Sequence, residues 1–136
     1  MPKRNTNRIV LKRNNETWGL VNTTVIHQNQ RRKTMIVEIT SYKPVDGVTH
    51  EELVSASKEF DKNYCAKCKG LISRHFLKTD DGYMDIFNWE SKADVEHVQA
   101  TFMQDADALA FAKYLDPKTL TMQNHEVLDI YEPNHK

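Results

Sequence analysis

Glu38 stands within a run of apolar and β-branched residues, Met35-Ile-Val-Glu-Ile-Thr-Ser-Tyr42. A carboxyl group on a buried face has its ionised form disfavoured by loss of water, and a carboxylate tuned in this way serves as a general base. Abstraction of a proton from a substrate carbon needs such a base. Glu38 and His97 are the candidates for that catalytic role, with His125 a further imidazole in the chain. Arg74 suits recognition of a carboxylate or phenolate, because its planar fork donates to two oxygens at once. Trp89 suits stacking against an aromatic substrate. Each residue also has a structural reading. Arg74 can pair with Asp85 or Glu38, Glu38 with Arg74 or Lys78, and Trp89 can anchor a core or a dimer interface.

Other motifs carry less. Cys65-Ala-Lys-Cys68 supplies half of a four-ligand zinc set, and no second Cys pair or spaced His pair completes it. A redox pair gains most from a helix N-terminus, where the dipole favours thiolate, whereas this pair follows a helix C-terminus. Two reduced thiols are the expectation, with no metal site. His50, His75 and His125 are scattered without a Cys partner, and His75 reads as a hydrogen-bonded structural residue opposite Asn88. No G-x-G-x-x-G, P-loop, H-E-x-x-H or G-x-S-x-G occurs, which removes the common nucleotide, metalloprotease and serine-hydrolase readings.

The elements that must hold these residues follow from hydrophobic period. Residues 35–42 alternate and read as a strand, ended by Pro44 and Gly47. Thr49 and Glu52 form a capping box, and Leu53, Ala56, Phe60 and Tyr64 recur at helical spacing over 50–64. A second strand spans 71–78 and a third 83–90, joined at Asp81-Gly82 as a two-residue turn. Ser91 and Asp94 start a second helix with a stripe of Val95, Val98, Phe102, Ala106 and Leu109, closed by Pro117. A last strand spans 126–131. The order β-α-β-β-α-β defines an α+β, ferredoxin-like fold with an antiparallel sheet and two helices on one face.

A two-residue hairpin sets Lys78 opposite Asp85, Phe76 opposite Phe87 and Arg74 opposite Trp89. Those six residues share one face, and Leu71, Leu77, Met84 and Ile86 the other. Packing the aliphatic set beneath the helices puts Val37 and Ile39 on the helix side. Ile36, Glu38, Thr40 and Tyr42 then fall on the open side. An open face carrying Ile36, Tyr42, Phe76, Phe87 and Trp89 is a large apolar patch, most economically covered by a second copy of the chain. Within that space Tyr42, Arg74, Phe76, Asp85, Phe87 and Trp89 are the expected substrate-binding residues, and a small aromatic or amphipathic molecule is the expected ligand.

The 136 residues hold 19 basic and 19 acidic side chains, unevenly spread. Residues 1–34 carry eight basic groups against Glu16 alone, a net of +7, and residues 35–136 a net of −7. The division near Met35 separates a basic, disordered extension (1–34) from a folded domain (35–132) and a short tail (133–136). The extension has three readings: a nucleic-acid arm, a targeting peptide, or a leader translated ahead of a start at Met35. Its charges are dispersed, the folded part is acidic, and no apolar core of a signal peptide follows the basic start, so the leader reading is preferred. A cytoplasmic protein with no membrane span and no nucleic-acid partner is expected.

Tyr83-Met-Asp-Ile-Phe-Asn-Trp-Glu-Ser91, with Ala93 and Phe102-Met103, resembles the dimeric α+β barrel proteins, among them the antibiotic-biosynthesis monooxygenase group. Glu59-Phe60, Gly70-Leu-Ile-Ser-Arg74 and Leu115-Asp-Pro117 extend the resemblance over residues 35–132. It implies a homodimer, a cavity between sheet and helices with Trp89 in it, and cofactor-independent monooxygenation of an aromatic or quinol-type substrate. The same resemblance leaves a non-catalytic binding or structural dimer as the alternative. In the haem-degrading branch the first strand carries an Asn, where this chain reads Glu38-Ile-Thr-Ser41.

Overall fold

The computed structural model describes residues 34–134. Four strands and three helices follow one another as β1 (Ile36–Tyr42), α1 (His50–Asn63), β2 (Leu71–Lys78), β3 (Tyr83–Trp89), α2 (Lys92–Thr101), α3 (Ala106–Ala112) and β4 (Thr121–Glu126). The sheet is antiparallel with order β2-β3-β1-β4, so the two central strands are β1 and β3. This is the ferredoxin-like α+β arrangement. The extension before residue 34, with its nucleic-acid, targeting and leader readings, lies outside the described residues.

Local chemistry accounts for the helix starts. The Thr49 side chain accepts from the Glu52 amide while the Glu52 carboxylate accepts from the Thr49 amide, so α1 opens on a complete capping box. Ser91 accepts from the Asp94 amide and opens α2. The expected continuous second helix is instead broken at a turn of 3₁₀ helix, Phe102–Gln104. Asp105 then accepts from the amides of Asp107 and Ala108 and starts α3 afresh. That restart rotates the buried stripe. Val95 and Val98 are followed inward by Ala108, Phe111 and Leu115, whereas Ala106 and Leu109 face outward.

The β2–β3 connection is a four-residue loop, Thr79 to Gly82, in which Thr79 and Gly82 exchange backbone and side-chain bonds. Lys78 therefore faces Tyr83, Phe76 faces Asp85 and Arg74 faces Phe87, not the partners expected from a two-residue turn. The slip is two residues, an even number, so the hairpin side chains keep their faces, with one exception. A bulge between Leu71 and Ser73 sets Leu71 opposite Trp89 and packs it against the core rather than with Leu77, Met84 and Ile86. A further correction concerns β4. A last strand was expected over 126–131, but β1 pairs with residues 121–126 and the ladder ends with Val127 donating to Met35. An edge strand needs only a backbone to pair with, and among the described residues β1 begins at Ile36.

The largest correction is the side of the sheet the helices cover. Ile36, Glu38, Thr40 and Tyr42 are buried, as are Tyr83, Asp85 and Trp89. Val37, Ile39, Met84 and Ile86 lie on the uncovered face. The aliphatic set was expected beneath the helices; instead Arg74 pairs with Asp85 there, and Glu38 accepts from Trp89 and Gln99. The helices bring Phe60, Phe102 and Phe111 to fill the space around them.

Candidate functional site

Two side-chain networks occupy the layer between sheet and helices. In the first, β1 presents Glu38 and β3 presents Trp89 from neighbouring ladder positions. The indole Nε1 donates to Glu38 Oε1 at 2.9 Å. Gln99 of α2 donates through Nε2 to Glu38 Oε2 at 3.3 Å. Gln99 is also paired reciprocally with Asn124 of β4, at 3.1 and 3.2 Å, and contacts Met122 Sδ at 3.2 Å. Trp89 is 1% exposed and Glu38 5%. Burial pushes the Glu38 carboxyl above the usual carboxylate range, and the donations from Trp89 and Gln99 oppose this without cancelling it.

The second network centres on Arg74 of β2. Its Nη1 donates to Ser57 Oγ at 2.7 Å and to Asp61 Oδ1 at 2.8 Å, both on α1. Its Nη2 donates to Asp85 Oδ1 of β3 at 2.8 Å, and the Tyr42 hydroxyl of β1 donates to Asp85 Oδ2 at 3.1 Å. The rings of Phe60, Phe76, Phe87 and Phe111 surround the guanidinium at 4.9–5.8 Å, a cation–π cage that further offsets its desolvation. Arg74 Nε is buried without a hydrogen-bond partner. Asp85 is pushed up to about 6, chiefly by burial, with Arg74 and Tyr42 holding it down. Burial and the Asp85 charge push the Tyr42 phenol well above its ordinary value. Phe87 links the networks, its ring 6.3 Å from that of Trp89.

Glu38, Tyr42, Arg74, Phe76, Asp85, Phe87 and Trp89 thus share one layer, on the side opposite to the one their sequence suggested. His97 does not join them. Two residues along a helix is about 200° of rotation, so with Gln99 turned toward Glu38, His97 stands on the exposed side of α2. Ser57, Asp61, Gln99 and Asn124 were missed in the sequence. Gln99 lies four residues after Val95 and three before Phe102, inside the apolar stripe of α2, and a polar residue at such a position was the available signal. Asn124 and Asp61 offered none.

The remaining candidates take structural places. His75 is exposed on the open face, where Asn88 bonds Ser73 instead. His50 Nδ1 meets the Tyr83 hydroxyl at 2.8 Å, and His125 is exposed on β4, 3.1 Å from Gln123. Cys65 and Cys68 are free and half-buried. Burial raises both thiols above their ordinary range, which disfavours the nucleophilic thiolate. Among the described residues no three His, Cys, Asp or Glu side chains are grouped to hold a metal, and no helix is long and apolar enough to cross a membrane. A groove of about 490 Å³ opens between α1 and α3, rimmed by Glu51, Glu59 and Asp107, and is not lined by Glu38, Arg74 or Trp89.

No family model matches the sequence, and no curated protein matches it closely enough to count as a relative. The fold is nevertheless shared with solved structures. A putative antibiotic biosynthesis monooxygenase from Caulobacter crescentus superposes with a TM-score of 0.56 at 16% identity, over 76% of this chain and 99% of that one. A protein from Arabidopsis thaliana gives 0.55 at 20% identity, over 71% and 99%. The cofactor-independent oxygenase SnoaB from Streptomyces nogalater gives 0.55 at 13%, over 71% and 95%. The chain therefore has the ferredoxin-like fold of the antibiotic biosynthesis monooxygenase-like and dimeric ferredoxin-like proteins.

Proposed function

We propose that this chain is one subunit of a homodimeric α+β barrel that takes a small aromatic or amphipathic molecule against Trp89, with Glu38 as the base of a cofactor-independent monooxygenation. The observation that carries this reading is the Glu38–Trp89 pair: a buried carboxylate with a raised proton affinity, held against the largest apolar side chain of the layer. In the reaction Glu38 takes a proton from a phenol or quinol-type substrate, and the electron-rich anion reacts with O₂. A ring CH becomes a carbonyl, one oxygen atom enters the product and the other leaves as water. The substrate supplies all the electrons, so no outside reductant is needed. Tyr42, Arg74, Phe76, Asp85 and Phe87 form the polar and aromatic wall behind the site, and His97 is left without a role.

The dimer reading rests on the open sheet face, where Val37, Ile39, Met84 and Ile86 form an aliphatic patch with Leu77 at its edge. Beyond β4, Leu128, Ile130 and Tyr131 are also exposed, and a second copy would cover apolar surface of this extent. Solved structures of this fold that are themselves described as dimeric ferredoxin-like proteins support it. A second reading, a purely structural dimer, is favoured by the way Arg74 and Trp89 fill the interior. Aerobic incubation with phenols and quinols separates them. Oxygen uptake with quinone formation, abolished in Glu38→Gln, is expected. Absence of both uptake and ligand-induced thermal stabilisation across such a series would reject the enzyme in favour of the structural dimer.

A further inference from the structure

Glu38 is deeply buried, and the carboxylate oxygen not held by Trp89 accepts from Gln99, which is itself bonded to Asn124. Gln99 is half-buried, and its partner Asn124 lies fully on the exposed edge strand, beside Met122, which is 49% exposed. The four contacts among these residues converge on Gln99: two with Asn124, one with Met122 Sδ and one with Glu38 Oε2. No other side-chain hydrogen bond ties α2 to β4 among the described residues. On its other flank β4 pairs with no strand described here.

We propose that the Gln99–Asn124 amide pair is the gate of the Glu38–Trp89 site, resting on the functional reading above for what passes through it. Closed, the pair satisfies itself and gives one hydrogen bond to Glu38. Open, it uncovers the carboxylate and the indole edge along the seam between α2 and β4. Opening costs little in unmet polar groups, because Asn124 is exposed and water replaces its partner at once. The freed amides then offer one donor and one acceptor at the mouth, while Glu38 accepts a hydroxyl at the base. The ligand this arrangement selects is a planar aromatic with a hydroxyl at its leading end and a second hydroxyl or carbonyl at its trailing end. Gln99 is a positioning residue: it acts on Glu38 and on access, and does not itself exchange protons. The Glu38 charge in turn helps to hold up the Cys68 thiol.

Trp89 reports on the gate without any substrate. In the full chain with Trp18→Phe, acrylamide quenching of Trp89 fluorescence measures access to the seam directly. Asn124→Ala and Gln99→Ala should each raise the quenching constant at least twofold, with the circular dichroism spectrum unchanged. Asn124 is exposed, so its truncation leaves the fold in place even if Gln99→Ala unfolds. The pH midpoint at which Trp89 fluorescence follows Glu38 protonation should fall in Gln99→Ala, because water admitted at the opened seam relieves the burial that outweighs the lost amide donor, and a merely structural role would not move it. With 1,4-naphthohydroquinone as the probe under anaerobic conditions, Asn124→Ala should bind and release faster than the parent chain. Unchanged quenching in folded Asn124→Ala would overturn the gate. Raised quenching without hydroquinone binding would leave the gate standing and count instead against the ligand reading of the preceding section.

Discussion

Replacing Arg74 by Met should destabilise the fold by about 3 kcal/mol at pH 7, with a pH dependence that identifies the cause. The side chain is 4% exposed, and Asp85, its buried partner, 5%. Loss of the guanidinium does not strand a full charge on Asp85, because the carboxyl takes up a proton instead. With Asp85 at about 6 in the parent fold, neutralising it at pH 7 costs about 1.4 kcal/mol, the equivalent of one pH unit. The lost bonds to Ser57 and the partly exposed Asp61 contribute about 1.5 kcal/mol more, the low end for hydrogen bonds to a charged group. Met fills most of the space among the four phenyl rings, which keeps the packing loss small. The sign in the parent is clear. A carboxyl whose value is raised in the fold favours the folded state below its unfolded value near 3.8, and that contribution is lost as pH rises through about 6. At pH 5 Asp85 is largely protonated in both proteins, so the difference between them should shrink to about 1.5 kcal/mol. Urea denaturation at pH 5, 6 and 7 measures this directly: with a slope of about 1.5 kcal/mol/M, the midpoints should differ by about 1 M at pH 5 and about 2 M at pH 7. A pH-independent difference would show that Arg74 stabilises only through its packing and its bonds to α1 and that its pairing with Asp85 adds nothing.

Three further outcomes follow from named contacts. Glu38→Gln should remove the alkaline rise of any quinol-oxidising activity, a limb that in the parent lies above the ordinary carboxylate range because burial raises Glu38; the pH–rate profile of the two proteins checks it. Gly70 has φ of +83°, and a Cβ there would run into the Asp94 carboxylate. Gly70→Ala should therefore cost roughly 2–3 kcal/mol, combining left-handed strain with displacement of Asp94 from its Ser91 bond, as read by thermal unfolding. Ile86→Lys, on the open face, should turn a dimer into a monomer by light scattering while leaving the Trp89 fluorescence maximum in place; an unchanged mass would reject that face as the interface.

The strands and helices were legible because their signals are local. The capping box at Thr49, the β-branched run at Met35–Tyr42 and the Ser91 start each depend on neighbours within four residues, and each is found as read. The break at Phe102–Gln104 was missed because the stripe from Val95 to Leu109 was read as one helix, although Asp105, ahead of a helical run, is also a cap. The strand expected at 126–131 failed for a different reason. Its apolar content is real, but pairing depends on where β1 starts, and that fact lies about 90 residues away in the chain.

The choice of sheet face shows where pattern reading reaches its limit. Alternation divides a strand into two sets and is silent on which set a helix covers. The sequence reading resolved this by hydropathy and chose the aliphatic set, since a lone Glu, Arg or Asp is expensive to bury. That cost applies to groups taken singly. Across the sheet the charged set contains its own partners: Arg74 reaches Asp85, Tyr42 reaches the same carboxylate, and Trp89 carries an N–H that needs an acceptor and finds Glu38. Five residues, three of which taken alone argue for the surface, become, as two bonded groups, suited to an aromatic interior. The aliphatic set has no polar needs and can wait for a second sheet. Chemistry-bearing residues at alternate positions on adjacent strands should therefore be weighed as networks before any of them is assigned to solvent.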